Sequence, residues 1–429
     1  MSKIKEVRAI EILDSRGNPT VSAEVELEDG SIGIGYVPSG ASTGEYEAHE
    51  IHDNDEGRYD GKGVLKAVEN VNTKIREAIV GMESDDLRII DQKMIELDGS
   101  KNKSNLGGNS ILSVSLAAAK AAAESFKVPL FEYLSKISGI TTSSGDYVLP
   151  IPMMNILNGG KHAVGSTDFQ EFMIVPVNFE TFKEALRAGT EVFHSLHKIL
   201  EERSYQPLVG DEGGYAPSLF SNEQAIELLT MAIKESGRRV GDEVAIALDP
   251  AASEFFYQDI YQLHRENRTF TTNELIDFYD TWTQKYPIIS IEDPLSQDDW
   301  AGYQEITSRL KDRCQIIGDD IYATNIARLK KGIEQHSTTG ILIKPNQIGT
   351  LTETIEAIKM AKEAGFSYII SHRSGETEDS FIADLSVAVG SGKIKTGAPC
   401  RGERTVKYNR LLEIESKLGA RGKLAKWGI

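Results

Sequence analysis

Between Lys5 and Val37, apolar and polar residues alternate in three short runs, VRAIEIL, TVSAEVELED and SIGIGYV, parted by the turn segments DSRGNP and DGS. A period of two puts successive side chains on opposite faces, so each run is predicted to be a half-buried strand, and the three together an antiparallel meander. The period then lengthens. In VLKAVENVNTKIREAIV, DLRIIDQKMIEL and SILSVSLAAAKAAAES the apolar residues recur at helical spacing, with Asn109 placed to cap the last helix. The expected result is an α+β domain over residues 1–139. The polar, turn-rich stretch ITTSSGDY that follows reads as the linker.

Over residues 140–429 the texture changes to short, continuously apolar strands alternating with amphipathic helices. The runs EVAIALDP, PIISIEDP, CQIIGDD, GILIKPN, YIISHRS and KIKTGAP fit a parallel β/α barrel. Each ends on a polar or charged residue: Asp249, Glu292, Asp319, Lys344, His372 and Lys395, spaced about one βα unit apart. In such a barrel the C-terminal strand ends face one pocket. The fold class predicted is α/β, a C-terminal β/α barrel with a smaller N-terminal α+β domain. Glu171 and Glu212 read as the ends of the first two apolar strands of this half.

Composition narrows the function. With 40% hydrophobic and 26% charged residues the chain is an ordinary globular protein. A formal net charge of -18 repels nucleic acid and anionic membrane, so neither is an expected partner, and an anionic ligand must meet a local exception of metal or basic residues. Two cysteines without ligand spacing, Cys314 and Cys400, and a start without a signal-type apolar run lead to the expectation of a cytoplasmic protein.

Asp249, Glu292 and Asp319 form a carboxylate set, and hard oxygen ligands select Mg²⁺ or Mn²⁺ over Zn²⁺. Any one of them alone is equally well a helix cap. Three on consecutive buried strands are not, because facing carboxylates repel unless a cation holds them. Lys344 and Lys395 flank a strand that carries His372, Arg373 and Ser374; a buried lysine whose pKa is pushed down is a usable base. Glu171 and Glu212 are general-acid candidates, with solvated loop glutamates as the plain alternative. Gly33-x-Gly35 does not complete a dinucleotide fingerprint, because Pro38 stands where the third glycine belongs. His194 and His197, three apart on a helix, read as a helix face and not a metal pair.

The motifs DSRGNPT, PSGASTG, MMNILNGGKHA, QEFMIVP, VGDEGGYAP, ALDPAASEF, SIEDP, GDD, IKPNQIGTLTET, SHRSGETED and KTGAPCR span nearly the whole chain. In them the sequence resembles the enolase family. The resemblance implies an enolase-type TIM barrel and the reversible dehydration of 2-phosphoglycerate to phosphoenolpyruvate in glycolysis and gluconeogenesis. It implies Lys344 as the base at C2, Glu212 as the residue assisting loss of the 3-hydroxyl, and Glu171 and His372 as further catalytic groups. Asp249, Glu292 and Asp319 would hold a first Mg²⁺ and Ser42, on the loop PSGASTG, would help hold a second. His162, Gln170, Glu171, Glu292, Asp319, Lys344, His372, Arg373, Ser374 and Lys395 would bind substrate. The family further implies a homo-oligomer, dimer or octamer, and includes members displayed on cell surfaces or secreted without a signal peptide and members in RNA-processing assemblies. Ile34, His52 and Gly402 depart from the family pattern outside these positions.

Overall fold

A computed structural model describes residues 2–40, 46–140 and 145–428. Strands Ile4–Leu13, Pro19–Leu27 and Ile32–Tyr36 form the predicted antiparallel meander. Its inward face, including Val7, Val21, Ala23 and Val25, is fully buried. It lies against the helix Gly108–Ser125, and a Cβ added at Gly33 or Gly35 would overlap that helix at Ala117 and Ser113. The glycine pair therefore serves close helix packing. Asn109 is not the cap: the helix begins earlier, at Gly108, and Asn109 inside its first turn bonds both the N–H and the carbonyl of Ile51. The first predicted helix is broken by a π turn over Val71–Ile75. Its buried stripe Ala67, Val71, Ile75 and Ile79 repeats every fourth residue, and the wider turn keeps that stripe on one side.

Eight strands close into a barrel: Ile151–Asn158, Glu171–Pro176, Val244–Asp249, Ile288–Glu292, Gln315–Gly318, Gly340–Ile343, Ser367–Ser371 and Lys393–Lys395. They neighbour one another in chain order, and all pairings are parallel except those of the second strand, which runs against both neighbours. The sheet is thus not wholly parallel, as the strand runs alone suggest. Connectivity supplies the reason. Between the first and second strands the chain has no α-helix to carry it back across the barrel. Two helices, Phe182–Glu202 and Asn222–Glu235, join the second strand to the third, and two passes return the chain to the end it left. Among the described residues no helix is long and apolar enough to cross a membrane.

The small domain is tied to the barrel by a buried carboxylate. Asp91, on the helix Leu87–Asp98, accepts from the N–H and Oγ1 of Thr352 at 2.9 and 2.6 Å, in the first turn of the barrel helix Leu351–Glu363. Burial pushes its carboxyl up to about 6. A carboxyl raised above its unfolded value near 3.9 contributes stability that is complete below about pH 4 and lost as pH rises through 6. Asp91→Asn keeps an acceptor for Thr352 and removes the charge. Thermal melts should find the variant more stable than the parent at pH 8, by up to about 3 kcal/mol, with the gain gone near pH 4. A variant less stable at pH 8 would show the charge to be the useful part of the cap.

Candidate active site

The reversed second strand decides what gathers at the barrel mouth. Glu171 begins that strand instead of ending it, and its backbone pairs with Asp249 at the end of the third and with Asn158 at the end of the first. Reversal thus puts its start on the face where the other strands finish. Glu212 is not at a strand end either; it sits in the turn between the helices Phe182–Glu202 and Asn222–Glu235. Its glycines admit the first strand: a Cβ on Gly214 would overlap the Asn158 side chain and the Asn155 carbonyl. Asn155 Nδ2 then donates to Glu212 Oε2 at 2.9 Å.

A cleft results at the barrel mouth. It is lined by His162, Gln170, Glu171, Glu212, Asp249, Asp319, Lys344, His372, Arg373, Ser374 and Lys395. Of the other two candidates, Glu292 is buried and accepts from Lys395 without lining the cleft, and Ser42 lies outside the described residues. The amine of Lys395, 2% exposed, reaches Glu171 Oε1 at 3.0 Å, Asp249 Oδ2 at 3.1 Å and Glu292 Oε2 at 2.7 Å. Asp319 is drawn instead to Lys344, whose Nζ donates to Oδ2, while Gln347 Nε2 donates to Oδ1 at 3.0 Å. Burial acts to lower the amines of both lysines, but the facing carboxylates outweigh it, and both are raised. In this arrangement anions surround these amines more closely than cations do, so neither is lowered; the lowering expected from the sequence is the one that neighbouring cations and a metal would bring.

A second group sits opposite. His162 Nε2 is 3.4 Å from Glu212 Oε1 and 3.8 Å from Glu171 Oε1, and His372 Nε2 is 3.3 Å from Glu212 Oε1. Burial and the Glu212 charge raise Glu171. Burial acts in the same direction on Glu212, but His372, His162 and Arg404 outweigh it and hold that carboxyl well below the usual range. Two glutamates set apart in this way mark one as proton holder and the other as proton acceptor.

Models of two families match the chain: "Enolase, N-terminal domain" over residues 4–134 and "Enolase, C-terminal TIM barrel domain" over residues 146–427. The chain belongs to the enolase family. It carries the enolase N-terminal domain and TIM barrel, and its activity class is that of an enolase-type lyase.

This enolase cleft also contains residues that strand-end reasoning does not single out. Glu47, from the small domain, pairs with Arg373 at 3.0 Å and is 7% exposed. The acidic run EYEAHE carries that signal only as an undifferentiated charge cluster. Asp293 and Asp320 line the cleft too, and with Asp319 they bring carboxylate oxygens within 4.8 Å of one another. Asp293 is engaged structurally, accepting from the backbone N–H of Asp319 and Asp320 and from Tyr303. Ile34, His52 and Gly402 do not line the cleft.

The donor chemistry of this enolase site fits a hard divalent cation. Its anionic groups are carboxylates, with oxygen as the sole ligand atom. Burial, then the Asp249 charge, pushes Glu292 well above the usual carboxyl range, a repulsion that a bound cation relieves.

Proposed function

We propose that this enolase-family lyase interconverts 2-phosphoglycerate and phosphoenolpyruvate with loss or gain of water. One observation carries the reading: Lys344, a half-buried amine, shares a cleft with Glu212, a glutamate flanked by two histidines. These are a base and a hydroxyl-handling group for a 1,2-elimination. A proton beside an ionised carboxylate is weakly acidic, because its removal adds a second negative charge to the same group. Asp249, Glu292 and Asp319 would hold one Mg²⁺ and Ser42 would help to hold a second, and the bound ions would supply the positive charge that spreads this load. A unit charge pair at 4 Å is worth roughly 4 kcal/mol at an effective dielectric of 20, so a few such contacts are of the right size.

The chain's own groups do the rest. Lys344 Nζ takes the C2 proton, and the electron pair left on carbon moves into the C2–C3 double bond as the C3–O bond breaks. Glu212, ionised at rest, takes a proton from His162 and passes it to the departing hydroxyl, which leaves as water. His162, raised by the Glu212 and Glu171 charges against the effect of burial, is the neighbour able to supply that proton. In hydration the ionised Glu212 accepts a proton from water. Arg373 offers a guanidinium fork matched to phosphate, with Ser374 beside it. Gln170 and Lys395 complete the walls.

Purified protein mixed with 2-phosphoglycerate and Mg²⁺ should show the ultraviolet rise of an enol phosphate, abolished by EDTA and restored by excess Mg²⁺. Absence of any rise at saturating Mg²⁺ sinks the proposal.

A further inference from the structure

We propose that Arg404 is a positioning residue that fixes His372 as its Nε2–H tautomer, so that a neutral imidazole presents a hydrogen-bond donor to the cleft beside Glu212.

Arg404 lies on the helix Gly402–Leu418 and is fully buried. Its Nη1 stands 2.6 Å from His372 Nδ1 and donates to Arg373 O at 2.7 Å; its Nη2 donates to Ser374 O at 2.6 Å and Asp211 O at 3.1 Å. A guanidinium only donates. The ring nitrogen it meets must therefore offer a lone pair, and a neutral imidazole with Nδ1 as acceptor carries its proton on Nε2. That nitrogen is 3.3 Å from Glu212 Oε1, yet it makes no aligned hydrogen bond among the described residues. A buried donor is thus left beside the carboxylate, on a residue that lines the cleft.

The same contact opposes a second proton. Protonating Nδ1 would break the Arg404 bond and set two cations at hydrogen-bond distance. The charged groups facing the ring are Glu212 from its turn, Arg404 from its helix and Glu376 from the segment after the seventh strand. The ring's own backbone N–H bonds the Lys395 carbonyl. Burial, reinforced by Arg404, outweighs the two glutamates and pushes the imidazole down to about 4. An imidazolium here would clamp Glu212 in its ionised form. A neutral ring adds one cation fewer to those that already hold that carboxyl well below the usual range, and so leaves it closer to taking a proton from His162. This consequence for turnover rests on the proposed reaction; the tautomer does not.

Arg404 also ties the segment Arg373–Ser374 to the Glu212 turn through three carbonyls, so loss of activity alone would not separate positioning from scaffolding. Nitrogen NMR of the full-length, ¹⁵N-histidine-labelled protein separates them, with His372 assigned by comparison with His372→Gln. In the unaltered protein Nδ1 should be unprotonated and Nε2 protonated throughout pH 6 to 8. A protonated Nδ1, or an imidazolium in that range, overturns the proposal, whether or not the protein turns over 2-phosphoglycerate.

Arg404→Lys keeps a buried cation but cannot serve Nδ1 and three carbonyls together. Its His372 should populate both tautomers and titrate nearer 6.5, the ordinary histidine value. The acid limb of its kcat profile should move toward neutrality, with a rate at pH 6 relative to pH 8 roughly fourfold below the parent's ratio and little change in KM. A uniform loss at every pH with the parent tautomer retained would make Arg404 a scaffold only. If the variant does not fold, the spectrum of the unaltered protein decides.

Discussion

Lys344→Ala should abolish exchange of the substrate C2 proton with solvent and dehydration together, with kcat falling on the order of 10² to 10⁴-fold. Both losses follow from one fact: if Nζ takes that proton, neither process begins without it. Glu212→Gln should separate them. On the proposed roles it keeps the base and removes the group that would hand a proton to the leaving hydroxyl, so exchange should continue while product formation drops over the same range. Deuterium incorporation at C2, followed by mass spectrometry alongside the absorbance assay, reads both. Exchange at the parental rate in Lys344→Ala would remove Lys344 from the role. The sign of the pH dependence follows from the surroundings of the amine. Asp319, bonded directly to Nζ, raises the amine against the lowering effect of burial, so the neutral base grows in as pH rises, and the rate carried by Lys344 should grow with it. Asp319 keeps Gln347 as a partner in the alanine variant, which limits collateral damage.

These experiments concern residues that the sequence exposes readily, and the reason is geometric. One strand buried on both faces can end in Asp or Glu merely to cap the next helix, but a series of such strands ending in Asp, Glu and Lys points to a shared cleft, so Asp249, Glu292, Asp319, Lys344 and Lys395 stand out together. Direction is harder to read. Apolar runs identify EFMIVP as a strand but say nothing of which way it points, and the reversal that brings Glu171 to the mouth is written instead in the connections on either side. Contacts across the chain are hidden altogether. Glu47 meets Arg373 from 326 residues away, and Arg404 reaches His372 from a helix whose pattern reads only as amphipathic. Local periodicity reports which face is buried, and it cannot report which buried polar groups find each other. Asn109 fails as a cap for a related reason: a distant backbone, that of Ile51, competes for its side chain.

Lys395→Met should be the most damaging change to the protein without divalent ions. The amine of Lys395 is the cation on which Glu171, Asp249 and Glu292 converge, and methionine keeps much of the stem while deleting the charge. Removing one partner from a buried ion pair costs about 3–5 kcal/mol, because the remaining charge is left uncompensated. Part of that loss is recoverable by protonation. Glu171 and Glu292 are already raised, by burial first, and carboxyls with raised folded values give stability at low pH that disappears as pH climbs. In EDTA the variant should therefore melt below the parent, and the gap should widen from pH 6 to pH 8. Mg²⁺ should then reverse the ordering of responses. In the parent an entering ion meets carboxylates already neutralised by an ammonium; in the variant it meets them bare, so the rise in Tm on adding Mg²⁺ should be larger for Lys395→Met than for the parent. Calorimetric melts at several Mg²⁺ concentrations make the comparison. Equal rises in the two proteins would mean that Lys395 does not hold in check the charge that the metal is expected to meet.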